Sequence, residues 1–220
     1  GRWQYYGVSL PFWRSYDKED PRREFFYYDY TGDAKRDDQS DYGFHYMVPE
    51  EGVTVVPNDT TKYMQNVATM KYTYDMISDA YYDGRTICIF RLSDVILCKA
   101  EIENNLNGPA AALPYLNQIR ARAGAPEYGK HNRFPAPSTK EAMNDAILKE
   151  RGYELVFEFQ RRADLIRFGK YEEVVNAHLK KLGIAQPTNV TSSLRYFPYP
   201  LNDAQLNPNL AAENPSRLPK

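Results

Sequence analysis

The feature that most restricts what this chain can fold into is a helical period interrupted at fixed points. From Ile89 onward, Leu92, Val95, Ile96, Ala100, Ile102 and Leu106 recur at three- and four-residue steps, which places side chains on one face of an α-helix. Asn107-Gly108-Pro109 ends that helix and opens another, because glycine suits a helix stop and proline a first helical turn. The second helix carries Leu113, Leu116, Ile119 and Ala123 on one face and stops at Gly124, with Pro126 behind it. Pro114 removes an amide donor, so this helix is expected to start or kink there. The two amphipathic segments are expected to close on each other as a hairpin.

A second hairpin follows. Beyond a loop from Pro126 to Pro137, Ser138-Thr139-Lys140-Glu141 fits a capping box, with the Ser hydroxyl and the Glu carboxylate satisfying free amides. The third helix is expected to run through Met143, Ile147, Leu155 and Phe157, and a fourth, Ala163 to Phe168, to close at Gly169. Two hairpins of comparable helix length predict a mainly α fold of tetratricopeptide-like units, each burying its face on the next, although no strict sequence period accompanies them.

The flanks read differently. Residues 1–88 hold 13 of the 19 Tyr and both Trp, together with much Asp, and predict an irregular region of loops and short strands packed against the hairpins. Residues 171–220 lose the period and turn Pro- and Asn-rich at Phe197-Pro198-Tyr199-Pro200 and Asn207-Pro208-Asn209, which predicts an extended wrap over the helices. With 220 residues the chain can bury a real core, and the segments 1–88, 89–170 and 171–220 are read as parts of one domain.

Several function classes are disfavoured at this stage. A net charge of −1 and a pI near 6.4 leave no basic field for nucleic-acid phosphates. Runs such as Ile87 to Phe90 fall far short of a bilayer span, and there is no basic stretch leading into an apolar signal core. A start at Gly1 without Met is what a processed or truncated product would show. Cys88 and Cys98 make no disulfide framework and are expected as buried free thiols. His45, His131 and His178 sit in no zinc-binding spacing, and no nucleophile elbow, phosphate loop or dinucleotide fingerprint occurs. No cofactor is therefore expected. Asp33, Asp37, Asp38 and Asp41 lie within nine residues and could offer oxygens to calcium, but they lack the spacing and glycine of an EF-hand loop and read first as a solvated acidic loop.

Two groups of side chains could carry function. Glu150, Glu154 and Glu158 recur every four residues among Arg151, Arg161, Arg162 and Asp164. Paired carboxylates permit acid/base chemistry. A structural ion-pair network accounts for every one of them, with Glu158 four residues before Arg162 in the favourable order. For binding, Trp3, Tyr5, Tyr6 and Trp13 offer flat aromatic faces with polar tips, which suit the apolar CH surfaces and hydroxyls of sugars. Core packing competes for Trp13, in Pro11-Phe12-Trp13.

Four segments, in order, resemble the C-terminal part of SusD/RagB-family proteins. Arg91-Leu92-Ser93-Asp94-Val95-Ile96-Leu97-Cys98-Lys99-Ala100-Glu101 is similar to the family's R-L-A-E-V-L-L-x-x-A-E helix. Leu116 to Gly124 resembles L-N-x-V-R-x-R-A-G, and Ile147 to Gly169 resembles I-L-x-E-R-x-x-E-L-x-F-E-x-x-R-x-x-D-L-x-R-x-G. Phe197 to Pro200 with Asn207-Pro208-Asn209-Leu210 and Asn214-Pro215 resembles the closing F-P-I-P segment, and Asp20-Pro21-Arg22 a recurring D-P-R. In the E-G-x-R-W stretch this chain has Phe159 in place of Gly and Arg162 in place of the aromatic residue.

The resemblance implies a non-catalytic, lipid-anchored protein on the outer face of an outer membrane, lidding a SusC-like TonB-dependent transporter and capturing glycan. It also implies tetratricopeptide-like helices, a lipidated Cys and a long N-terminal region that are not in this sequence, and it transfers no ligand residue onto a numbered position. Three other readings stay open: a RagB-type peptide binder, a helical scaffold for a protein partner, and a glycosidase with two carboxylates across an aromatic cleft.

Overall fold

The computed structural model describes residues 7–27, 66–69, 71, 88–181, 197, 199–207 and 209. The chain divides into two compact units, residues 1–161 and 162–220.

The first unit is built on three helices: α2 (Leu92–Asn107), α3 (Pro109–Ala123) and α4 (Lys140–Glu154). Gly108 alone separates α2 from α3 and caps both, with a φ of 90° that side-chain-bearing residues rarely adopt. The two helices pack along each other and α4 lies against both. Leu97, Leu116, Ile119, Met143 and Ile147 are fully buried between them. Each contributes about 1.5–3 kcal/mol through the water it sheds.

The face of α2 that is buried is not the face its apolar residues mark. Ser93, Asp94, Leu97, Ala100 and Asn104 are buried, while Leu92, Val95, Ile102 and Leu106 are 72, 61, 51 and 74% exposed. Small residues let the neighbouring helices approach, and the polar ones find partners, except that Asn104 Oδ1 accepts no hydrogen bond among the described residues. Asn104 donates to the Lys140 carbonyl and to Asn144 Oδ1, both at 2.8 Å, and Asp94 pairs with Arg151 at 2.7 Å.

Three boundaries differ from expectation. Helix α3 begins at Pro109 and runs through Pro114; Ala110 and Pro114 are both exposed, so the carbonyl that loses its donor can meet water. The cap of α4 is Thr139, whose hydroxyl accepts from the Ala142 amide at 3.1 Å, and not Ser138. Helix α4 ends at Glu154, so Leu155 and Phe157 fall in the turn that follows. Cations hold that end. The Glu154 carbonyl accepts from Arg91 at 2.6 Å and Lys71 at 2.8 Å, and Lys71 reaches the Val156 carbonyl at 2.9 Å. In the turn, Phe157 and Phe159 both adopt a φ of 62°.

In the N-terminal segment the described residues form short strands and turns. Strands β1 (Gly7–Ser9), β2 (Phe26–Tyr27) and β3 (Asn66–Thr69) form an antiparallel sheet in the order β1-β3-β2, pairing Val8 with Val67 and Phe26 with Thr69. Helix α1 (Leu10–Arg14) and a 3₁₀ turn (Pro21–Phe25) lie between the first two. Val8, Trp13, Tyr16, Phe26 and Tyr153 make a second core cluster that joins this segment to α4. Tyr16 stacks on Tyr153 with ring centroids 4.1 Å apart and donates to its carbonyl at 3.1 Å, while the Tyr153 hydroxyl donates to the Ser15 carbonyl.

Helix α5 (Arg161–Arg167) begins at the end of the first unit, and Gly169, at φ 69°, follows it as a left-handed stop. The second unit corrects the expectation of an extended segment from residue 171. Tyr171–Lys181 is an eleven-residue helix, α6, with Glu172 and Glu173 in its first turn, where the helix dipole favours them. A short helix, α7 (Leu201–Leu206), follows. Among the described residues no helix is long and apolar enough to cross a membrane.

Candidate functional site

The motif residues from separate parts of the sequence converge on one buried ion cluster. Asp20 caps the 3₁₀ turn by accepting from the Arg22 amide at 3.0 Å, and its carboxylate grips the Arg22 guanidinium through Nε at 2.9 Å and Nη2 at 2.7 Å. The same guanidinium donates to Glu150 at 2.7 Å and Glu154 at 3.0 Å on α4. Arg120 of α3 takes the other Glu150 oxygen at 2.7 Å. Glu154 also receives Arg91 at 2.6 Å and Arg122. Glu158 receives Arg91 at 2.8 Å and Lys71.

Spacing alone did not find these partners. Glu158 lies beyond the helix and pairs with Arg91 and Lys71, so the expected bond to Arg162 is not the one formed. Arg162 lies instead over the rings of Phe197 at 4.5 Å and Tyr171 at 5.5 Å, within the second unit. The network reading itself stands: Glu150, Glu154 and Glu158 are all buried against cations. Burial works against the Glu154 carboxylate, but the Arg91 hydrogen bond and the charges of Arg91, Arg122 and Arg22 overcome it and hold the pKa at about 2. A carboxylate held that low is a poor general acid, and the glycosidase reading loses its best candidates.

The glycine in the D-P-R contact is required by close approach. Gly124 has a φ of 72°, and a Cβ there would meet Pro21 Cγ at 3.2 Å. Asn117 fixes the following loop by accepting from the Tyr128 amide at 2.9 Å and donating to its carbonyl at 2.8 Å.

Two cavities flank the cluster. The smaller, about 130 Å³, is lined by Arg22, Lys71, Arg91, Arg122 and Glu154 with Tyr16, Phe26 and Tyr153. Its cations are committed to Glu154 and Glu158. The larger, about 330 Å³, opens on the other side, with Arg14, Lys18, Arg120, Arg133 and Lys149, the carboxylates Asp17 and Asp20, and the rings of Tyr16, Phe134 and Tyr153 in its wall. Its volume is at the lower end of the ~300–1,000 Å³ usual for small-ligand sites.

Of the aromatic candidates for ligand contact, Trp3, Tyr5 and Tyr6 lie outside the described residues, as do Asp33, Asp37, Asp38 and Asp41. Trp13 is 5% exposed and belongs to the core cluster, with the Arg23 guanidinium 4.1 Å from its ring. A covered indole cannot stack on a sugar, so Trp13 is corrected from ligand contact to packing. Cys88 and Cys98 are free and half-buried rather than fully buried. Among the described residues no group of three or more His, Cys, Asp or Glu side chains could hold a metal.

The SusD family model matches residues 8–216. The chain belongs to the SusD family. A SusD-like protein of Formosa agariphila is 39% identical over 120 residues, 54% of this chain and 22% of its own length. The starch-binding protein SusD of Bacteroides thetaiotaomicron is 28% identical over 137 residues, 61% of this chain and 22% of its own length. A SusD superfamily protein of Bacteroides vulgatus, solved as a crystal structure, aligns at a TM-score of 0.58 with 23% identity, over 92% of this chain and 42% of that one. The chain thus spans under half of each relative. In this SusD-family chain the motif residues Asp20, Arg22, Arg91, Arg120, Arg122, Glu150, Glu154 and Glu158 are the ion cluster, so the signature marks how the fold is locked.

Proposed function

We propose that this SusD-family chain belongs to a surface glycan-binding component of an outer-membrane uptake system, which captures an oligo- or polysaccharide and passes it to a SusC-like TonB-dependent transporter. Family membership over residues 8–216 carries the reading, supported by similarity to a protein named for starch binding. Attachment is through an N-terminal lipid anchor outside this sequence. The ligand-stacking role falls to Trp3, Tyr5 and Tyr6, because the ion cluster occupies the charged residues of the helices and Trp13 is core. The protein is a binder and not an enzyme, in keeping with a helical scaffold whose three clustered glutamates are held as ion pairs.

Calorimetry against a panel of soluble polysaccharides tests the proposal. It predicts saturable binding to at least one glycan, weakened by Trp3→Ala together with Tyr5→Ala. Uniform failure to bind glycans alongside binding of mixed oligopeptides overturns it in favour of a peptide carrier.

A further inference from the structure

We propose that the 330 Å³ cavity is a subsite for an anionic sugar, one carrying a uronate carboxylate or a sulfate ester, with Lys149 as its anchoring cation. The inference rests on the glycan-uptake reading for the class of ligand.

The carboxylates in the wall are already spent. Both Asp20 oxygens hold Arg22, one Asp17 oxygen accepts from the Glu19 amide at 2.9 Å and the other from Arg133 at 3.0 Å. Glu150, directly behind the wall, gives one oxygen to Arg22 and the other to Arg120. Five cations face two carboxylates across this space, and although Arg120 is paired with Glu150 and Arg133 with Asp17 and Glu19, the excess of cations leaves the wall with a net positive charge.

Lys149 differs from the other four. Its ammonium makes no hydrogen bond or ion pair among the described residues and lies 5.7 Å from the centre of the Tyr153 ring. Desolvation, then the Arg120 charge, pull its pKa below the ordinary lysine value, against the opposing charges of Glu150 and Asp17. A cation that holds no ion pair and sits beside Arg120 gains a charge-assisted bond from an incoming anion. Phe134, half-buried in the same wall, supplies ring surface, which a sugar can use and a bare ion cannot. A neutral sugar would leave Lys149 as it is, and a metal cation would be repelled.

The test is calorimetry of the full chain with three probes of equal length: a galacturonate trimer, a sulfated galactose trimer and neutral galactotriose. A fourth probe, triglutamate, offers the same charge on a peptide. The proposal predicts that one or both acidic trimers bind at least about tenfold more tightly than the neutral one, a difference equivalent to a single charge-assisted contact. Lys149→Gln abolishes that preference, Lys149→Arg keeps it, and neutral binding is unchanged in both variants. Lys149 is exposed, so both variants are expected to fold as the parent does.

Equal binding of acidic and neutral trimers, or an acidic preference untouched by Lys149→Gln, overturns the subsite and leaves glycan uptake standing. Preference for triglutamate over every sugar overturns the sugar as occupant. Binding of no glycan at all overturns the subsite and the proposed function together.

Discussion

Glu154→Gln removes one negative charge from the centre of the ion cluster, and the structure fixes what that should cost. Held at about 2 against an ordinary 4.5, the Glu154 carboxyl contributes roughly 3 kcal/mol to folding at neutral pH. The neighbours limit further damage. Arg22 keeps Asp20 and Glu150, Arg91 keeps Glu158, and Arg122, whose side chain is largely exposed, can turn to water. The loss should therefore stay near 3 kcal/mol and below the upper end of the ~3–5 kcal/mol expected when a buried charge is stranded. The sign follows from linkage. A depressed carboxyl stabilises fully above its unfolded value and loses that contribution as pH falls towards the folded one. The difference between parent and variant should thus be full at pH 7 and shrink from about pH 5 towards pH 2. Urea denaturation at pH 7, 5 and 3 measures it. A difference under about 0.5 kcal/mol at pH 7, or one that does not shrink at low pH, refutes the cluster as a stabilising unit.

Phe159 is 84% exposed at a φ of 62°, at the position where the resembling pattern has Gly, so Phe159→Gly should relieve strain and raise Tm by about 1–4 °C in a thermal scan. Gly124→Ala should do the reverse, lowering urea stability by more than about 1 kcal/mol, because it combines a φ of 72° with a Cβ 3.2 Å from Pro21. Trp13→Ala should cost roughly 3–5 kcal/mol while leaving glycan affinity of the folded fraction unchanged, as calorimetry at low temperature would show.

The helical hairpin was legible because Gly108 and Gly124 sit at the positive φ values where the two helices stop, and the apolar steps between them are regular. Which face of α2 is buried was not. Period marks apolar residues, whereas burial here follows Ala100, the hydrogen-bonded Asn104 and the ion-paired Asp94, whose partners lie on another helix. The missed helix α6 was open to reading: Tyr171, Val174, Val175, His178 and Leu179 keep helical spacing behind Glu172 and Glu173, but proline and asparagine further on dominated the segment. The glutamates of the ion cluster announced themselves by four-residue spacing, yet Asp20 and Arg22 lie about 130 residues away from them. No local pattern reports contact across that distance. The Lys149 cavity left no local signal either, since its wall is drawn from residues 14–18, 20, 120, 133–134, 149 and 153.

Glycan capture is the function proposed for this SusD-family chain. Calorimetric titration of the full chain with soluble polysaccharides and with mixed oligopeptides, at one ionic strength, tests it most directly. Saturable binding to a glycan and none to peptides is the expected result; peptide binding with a flat response to every glycan would contradict glycan capture.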